Sequence, residues 1–569
     1  MRNIQAVREL SEITRTSFGP NGRNKMIINH LERLFVTSDA ATMIRELDVV
    51  HPAGKLLVMA SQQQETEMGD GTNFVLIFAG ELLRKAEYLI TMGLHPSEIL
   101  IGYELARDKA LEELEKLSVA SLATPPTVSS LALALRPSIA SKQYGCEDII
   151  APLVAEAVSL VIPPASVSAQ EQKIGLKDFN VDNVRVVKIM GGSLADSKVV
   201  RGMVFGREPE GTVQHVKSAK VAVYTSGIDI SQTETKGTVL LHNAKELSQF
   251  SRGEEQQLEK IIKEIADAGV KVVVAGSTVG ELALHFLNRF DILCIKVLSK
   301  FELRRLSRLL GATPLARLGA PMAEEAGWID VVETTEIGGD RVTIFRQEDG
   351  QKGGKARPRM ATCILRGATS NLLDDVERAI DDGVNVIKAL TRDPRLVPGA
   401  GATETELSKR IADFGEKTAG LNQHAIKKFA EALEVIPRTL AENAGLNATE
   451  TVSTLFAKHG GAAGAEAEGS GADVGVDIEN EGDGTIATTP ASIFDVLAAK
   501  AWAIRYATGA AINILKVDAI IMVSARLWCD ASCSLILLTS LAFPCSFRCF
   551  QSKPAGIKAP QKNVNWDDD

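Results

Sequence analysis

Cysteine is scarce, with seven residues in a chain of 569, and four of them (Cys529, Cys533, Cys545 and Cys549) crowd near the C-terminal end. The other three, Cys146, Cys294 and Cys363, are scattered with no paired spacing. That pattern argues against a disulfide framework and suits a reducing compartment. No Gly-x-x-x-x-Gly-Lys-Ser/Thr occurs, which counts against a stand-alone ATPase or kinase of the P-loop type. The apolar stretch 535–543 falls short of the ~20 residues of a membrane span and is followed by Pro544 and Arg548. Residues 1–5 already follow an amphipathic helix pattern without an apolar signal region, so cytosolic residence is the expectation. The net charge of −9 is spread along the chain, apart from the acidic end Asp567-Asp568-Asp569. It leaves no basic footprint for nucleic acid.

What is present is a soluble composition, 45% hydrophobic and 24% charged, in a chain too long for one core, since single cores stop growing near about 250 to 300 residues. Glycine-flanked turns ahead of helices recur. Gly69-Asp70-Gly71-Thr72-Asn73 precedes the apolar helical run 74–90. Glycines let backbone N–H groups approach an anion, the first turn of the next helix favours negative charge, and Asp70 offers the hard oxygen that Mg²⁺ prefers. The alternative is a plain turn with Asp70 as N-cap. Thr16-Ser17-Phe18-Gly19-Pro20-Asn21-Gly22 forms a second loop before the strand-like 25–28. Val36-Thr37-Ser38-Asp39-Ala40-Ala41-Thr42 forms a third, and Val397-Pro398-Gly399-Ala400-Gly401-Ala402-Thr403 repeats the device far downstream. Four such junctions suggest one nucleotide pocket, which requires the two ends of the chain to fold together.

Helical patterns fill the first ~120 residues, 99–117 among them. Pro125-Pro126 breaks the pattern, and 163–178 reads as a loop. From 199 to 345 strands alternate with helices: strands at 219–224, 270–275 and 291–297, helices at 254–268 and 301–310. Helical character returns after Arg366. In 371–390, Leu373, Val376, Ile380, Val384 and Ile387 mark one buried face. Asp374, Asp375, Asp381 and Asp382 occupy other faces, where solvation is the simplest reading.

These segments resemble the ATP-site motifs of group II chaperonins, the archaeal thermosome and the eukaryotic TRiC/CCT ring. The likeness extends through Ser141-Lys142-Gln143-Tyr144-Gly145, Phe179-Asn180-Val181-Asp182-Asn183, Glu234-Thr235-Lys236-Gly237-Thr238-Val239 and Arg366-Gly367. It implies a multi-domain α/β and α fold of thermosome/GroEL-like chaperonin architecture. A helical equatorial ATP domain (1–124 and 393–522) would enclose a small intermediate domain (125–196 and 358–392) and an inserted α/β apical domain (197–357). The implied nucleotide contacts are Ser17, Phe18, Gly19, Pro20, Gly69, Asp70, Gly71, Thr72, Asn73, Gly399, Ala400, Gly401, Gly475, Asp477 and Asp495. Asp70 would ligate Mg²⁺, with K⁺ as a further candidate ion, while Asp382 acts on the attacking water and Asp39 lies near the γ-phosphate. Client contact would fall on the helix bearing Phe301, Arg304, Arg305 and Arg308, with Leu306 and Leu310 available for packing, and 244–255 would be a mobile protrusion.

The implied partners are seven paralogous subunits in a double ring and unfolded clients such as actin and tubulin, with no nucleic acid and no membrane. The rival reading within the ring is a component that binds ATP with little or no hydrolysis. Ala40, Asn21, Asn73 and Ala400 depart from the general pattern; a methyl at Ala400 crowds the nucleotide if φ is positive there. Residues 460–475 are expected to be a flexible loop and 517–522 a strand. Residues 523–551 fit no family pattern and read as a retained intron, with a zinc site on its four cysteines as the alternative. Family members carry a further N-terminal segment before the helix that opens this chain, including a strand shared between neighbouring subunits.

Overall fold

The computed structural model describes residues 2–29, 32–122, 126–162, 179–229, 244–347, 359–460, 471–479 and 483–520. Thr72–Thr91 is the centre of the helical body because it is apolar nearly all round, and a helix of that kind must be covered on every side. Phe74, Val75, Leu76, Ile77, Phe78 and Ala79 are all buried. Their cover comes from Arg2–Arg15 on one side and from Asn422–Leu433 and Leu497–Lys516 on others. Phe78 meets Phe429 edge to face at 5.4 Å and Tyr103 meets the same ring at 5.8 Å. The two ends of the chain therefore share one core.

The middle of the chain forms an eight-stranded mixed sheet. Its order is Val184–Met190, Ala361–Gly367, Lys198–Phe205, Asp340–Arg346, Gly327–Ile337, His215–Tyr224, Val270–Ala275 and Leu293–Lys296. Side chains alternate faces along each strand. Val221, Val223, Val272 and Val274 join the helix Lys300–Leu310 on one side. Ala222, Tyr224, Val273 and Ala275 meet Ala244–Asp267 and Glu281–Arg289 on the other. Covered on both faces, these strands read as unbroken apolar runs rather than alternation.

A third core lies between the two bodies. Helices Val128–Ala140, Glu147–Val161 and Ser370–Arg392 pack with Ala361, Cys363 and Leu365. Strand Ala361–Gly367 leaves the sheet and enters the helix Ser370–Arg392 after a short turn, where the Thr369 hydroxyl caps it by accepting from Leu372 N. One continuous segment thus runs from the sheet to the helical body.

Two expectations need correction, the strand at 517–522 and the loop at 460–475. The backbone of 244–255 is helical, continuous with the rest of Ala244–Asp267, because the apolar spacing of Leu258, Ile262 and Ile265 anchors the helix on the sheet. Residues 517–520 form no strand; a strand needs a hydrogen-bonded neighbour, and no described strand pairs with them. Within 460–475, Val474–Val476 is a strand paired with Thr485–Ala487. Leu306 and Leu310 pack against the sheet, the role expected of them. The loop 163–178, residues 461–470, the 234–239 motif and the segment 523–551 with its four cysteines lie outside the described residues.

Candidate nucleotide site

The helix Pro52–Met68 stops because Gly69 adopts a left-handed conformation (φ 78°), and Gly71 (φ 79°) does the same as N-cap of Thr72–Thr91, with no side chain capping it. The plain N-cap alternative for Asp70 is thereby excluded. Its Oδ1 accepts from Gly71 N at 2.7 Å, and its Oδ2 accepts from Ser138 Oγ at 2.8 Å. The turn is locked from behind, where Gln64 Nε2 donates to Asp70 O (2.8 Å) and Ala499 O (3.1 Å). Gly69 also admits a close approach, for a Cβ there would lie 2.3 Å from Asn385 Cβ on the helix Ser370–Arg392.

The downstream turn is built alike. Gly401 (φ 79°) caps Ala402–Lys417 without a side-chain bond. Ala400 has φ 52°, the condition under which its methyl is strained, and Val476 N donates to Ala400 O at 2.9 Å. A Cβ on Gly475 would meet the Ala400 methyl at 2.8 Å. Ala400→Gly should therefore stabilise the chain by about 0.5 to 1 kcal/mol, the left-handed strain outweighing the unfolded-state entropy of glycine. ATP affinity should not fall. Chemical unfolding and calorimetric titration check both.

The loop after Arg2–Arg15 completes the rim. Ser17 Oγ donates to Arg23 O (3.0 Å), and Asn443 Nδ2 donates to Phe18 O (2.8 Å), so the C-terminal half holds the N-terminal loop in place. These turns surround a cavity of about 450 Å³. Ser17, Phe18, Gly19, Pro20 and Asp39 line it from the N-terminal loops, as do Asp70, Gly71, Thr72 and Asn73. Ala400, Gly401, Asp477 and Asp495 line it from the C-terminal half. Gly69, Gly399, Gly475 and Asp382 do not line it. The first three support the turns from behind: Gly399 N donates to Ile493 O at 3.0 Å. Phe301, Arg304, Arg305 and Arg308 sit on a different body, on the helix Lys300–Leu310. Phe301 is 72% exposed, and Arg305 pairs with Asp182 at 3.3 Å.

Asp39 caps the helix Ala40–Glu46, its Oδ2 accepting from Thr42 N (3.0 Å) and Thr42 Oγ1 (2.7 Å). Its Oδ1 lies 3.4 Å from Lys142 Nζ, and the same ammonium contacts Asp382 Oδ2. Asp382 is buried, which overturns the solvation reading for that one of the four aspartates. Burial alone would raise the Asp39 pKa, but the Lys142 charge and the Thr42 hydrogen bonds outweigh it and lower it to about 2. One cation thus joins the N-terminal loops to the helix from the middle of the chain. Lys142 carries no pattern of its own, and only the motif Ser141-Lys142-Gln143 pointed toward it. Lys500 and Glu404 were also missed, each looking like an ordinary first-turn residue of a helix. Lys500 touches Glu404 and lies 2.9 Å from Asp495 Oδ2. Burial opposes its charge, yet the two carboxylates hold it above the usual lysine range.

The donors suit a nucleotide with a hard cation. Two uncapped helix N-termini offer N–H groups to phosphates. Among the described residues no group of three or more His, Cys, Asp and Glu could hold a metal. A lone Asp70 with phosphate and water oxygens is the pattern of Mg²⁺ bound through its substrate. Among the described residues no helix is long and apolar enough to cross a membrane.

The TCP-1/cpn60 chaperonin family matches residues 10–525. The chain is 54% identical over 570 residues to the probable T-complex protein 1 subunit theta of Schizosaccharomyces pombe, covering 100% of this chain and 95% of that protein. It is 54% identical over 528 residues to the Saccharomyces cerevisiae T-complex protein 1 subunit theta (92% and 91% covered). With the Homo sapiens T-complex protein 1 subunit theta it shares 48% identity over 569 residues (100% and 94%). Matched over 516 of its 569 residues by the family and at 48–54% identity by these three relatives, the chain belongs to the TCP-1/cpn60 chaperonin family, in its T-complex theta-subunit group.

Proposed function

We propose that this chaperonin subunit binds and hydrolyses ATP to drive the folding of cytosolic clients such as actin and tubulin, within a double ring shared with paralogous subunits. The observation that carries the reading is Lys142 in contact with both Asp39 and Asp382. It puts an acid from the middle of the chain beside a pocket built by the two ends. The helical body would be the equatorial unit, the 128–161 and 370–392 helices the intermediate unit, and the eight-stranded sheet the apical unit.

Phosphoryl transfer to water asks the protein mainly for positioning and charge. The N–H groups after Gly71 and Gly401 would receive phosphate oxygens. Asp70 would hold Mg²⁺, which neutralises phosphate charge when bound. Asp382 would orient and accept a proton from the attacking water once Lys142 turns toward the phosphates. Because the segment 361–392 is continuous with the sheet, a shift of Asp382 at the site would move the apical unit and its exposed Phe301. The rival, ATP binding with slow turnover, draws support from the strained Ala400.

Native mass spectrometry of the tagged full-length chain, purified from its own cells, tests the assembly. A ring-sized particle containing sister subunits and consuming ATP is the expected result. A chain recovered alone, without ATP binding, would sink the proposal.

A further inference from the structure

The eight-stranded sheet is hydrogen-bonded in two parts that meet within the strand Lys198–Phe205. Ala361–Gly367 pairs with its first half, Ile364 to Ala361 against Lys198 to Arg201. Asp340–Arg346 pairs with its second half, Arg346 to Thr343 against Gly202 to Phe205. Gly202, at the join, has φ 121°, a conformation open to glycine. The part holding Val184–Met190 and Ala361–Gly367 goes with the helix Ser370–Arg392. Its last strand runs into that helix, and Lys188 Nζ reaches Asp374 Oδ1 (2.5 Å) and Glu377 Oε2 (2.7 Å). The other part carries the hairpin of Gly327–Ile337 and Asp340–Arg346. Ile189 and Ile364 share a small apolar cluster with Ile337 and Ile344 across the join, but apolar contact is non-directional.

Direction comes from Arg366, near the end of Ala361–Gly367. Its Nε donates to Gly191 O at 2.7 Å, and its backbone N donates to Ser197 Oγ at 3.2 Å. The guanidinium lies in a cradle of glycines drawn from both parts. Gly191 (φ 91°) and Gly192 (φ 80°) follow Val184–Met190, while Gly338 (φ 66°) and Gly339 (φ 95°) form the tip of the hairpin. A Cβ on Gly338 would collide with Arg366 Nη2, and one on Gly192 would lie 3.0 Å from Nη2 and from Asp196 Oδ2. A planar guanidinium fits such a slot where an ammonium on a flexible stem does not. None of these residues lines the nucleotide cavity.

Resting on the reading above that Ser370–Arg392 shifts when the nucleotide site reacts, we infer that Arg366 is the positioning residue that carries this shift to the hairpin. While its guanidinium fills the glycine cradle, the two parts of the sheet move together. Without it the ladder bends at Gly202, and the part packed against the Phe301 helix no longer follows Ser370–Arg392.

Hydrogen exchange read by mass spectrometry tests this on the assembled particle, with and without ADP and aluminium fluoride as a mimic of the transferring phosphate. In the wild type, peptides from 370–392 and from 327–346 should change protection together. Arg366→Met keeps the stem and removes the fork. It should leave single-turnover ATP hydrolysis and the response of 370–392 intact, and reduce the response of 327–346 by about tenfold, the scale of one charge-assisted hydrogen bond. Gly338→Ala, which keeps the arginine and puts a methyl in its place, should give the same split. An undiminished hairpin response in either variant overturns the proposal. A parallel loss of both responses does so too, because it marks a merely structural role. A wild type in which 370–392 responds and the hairpin does not overturns this inference alone. A wild type whose 370–392 peptides ignore the mimic overturns the reading of the site, and this inference with it.

Discussion

Asp382→Asn slows single-turnover ATP hydrolysis by at least about a hundredfold, the low end of what a positioned general base contributes, while ATP affinity changes less than about threefold. The separation follows from placement. Asp382 lies on the helix Ser370–Arg392 and is absent from the cavity wall, so the nucleotide can be held without it. Asparagine keeps the size of the side chain and an oxygen for Lys142, so the packing of Leu373, Val376, Ile380 and Val384 beneath it is undisturbed. Rapid-mixing measurements on the assembled particle give rate and affinity separately, a split that distinguishes lost chemistry from lost binding. Equal rates for variant and wild type would remove Asp382 from the mechanism and favour the slow-turnover rival.

Lys142→Met should be the most destabilising single change at the site. It leaves Asp39 and Asp382, both buried, without the cation they share. Stranding buried charges costs about 3 to 5 kcal/mol. The pH dependence gives the sign. Asp39 has a folded pKa lowered to about 2 against 3.8 for the free side chain. Its contribution, about 2 kcal/mol, is therefore fully present above pH 3.8 and is lost as the pH falls through about 2. In the variant the part of that contribution owed to Lys142 is gone at every pH, while the Thr42 hydrogen bonds remain. The difference in unfolding midpoint between wild type and Lys142→Met should be largest near neutrality and narrow on acidification. A gap that stays constant down to pH 3 would mean that Lys142 acts through packing alone.

Much of the secondary structure was legible because its signals are local. Gly69 and Gly71 announce a turn by composition, and both have positive φ. The apolar repeat from Leu373 to Ile387 announces one buried face, and all five of its members are buried. The strand Lys25–Ile28 and the helix Lys300–Leu310 stand within a residue of their expected bounds. The site residues were legible in a different way. Asp39, Ala400 and Asp495 came from likeness to a family, and the cavity gathers them with Asp70 and Asp477. Nothing local distinguishes Asp382 from Asp381, one residue away. What separates them is that the 382 position turns inward toward Lys142, from a helix of another part of the chain.

The sequence by itself determined where the chain turns, which faces of its helices are apolar, and to which family it belongs. Glycine at a left-handed position, a periodic apolar stripe and a long motif match each depend on residues close together in the chain or on their order. Only the tertiary structure decided that Lys142 serves two aspartates, one 103 residues before it and one on the helix Ser370–Arg392. It alone joined Lys500 to Glu404, 96 residues away, and seated the Gly475 backbone against the Ala400 methyl. Burial is the physical reason. A charge becomes selective about its partner when water is excluded around it, and which charges lose their water depends on how distant helices pack.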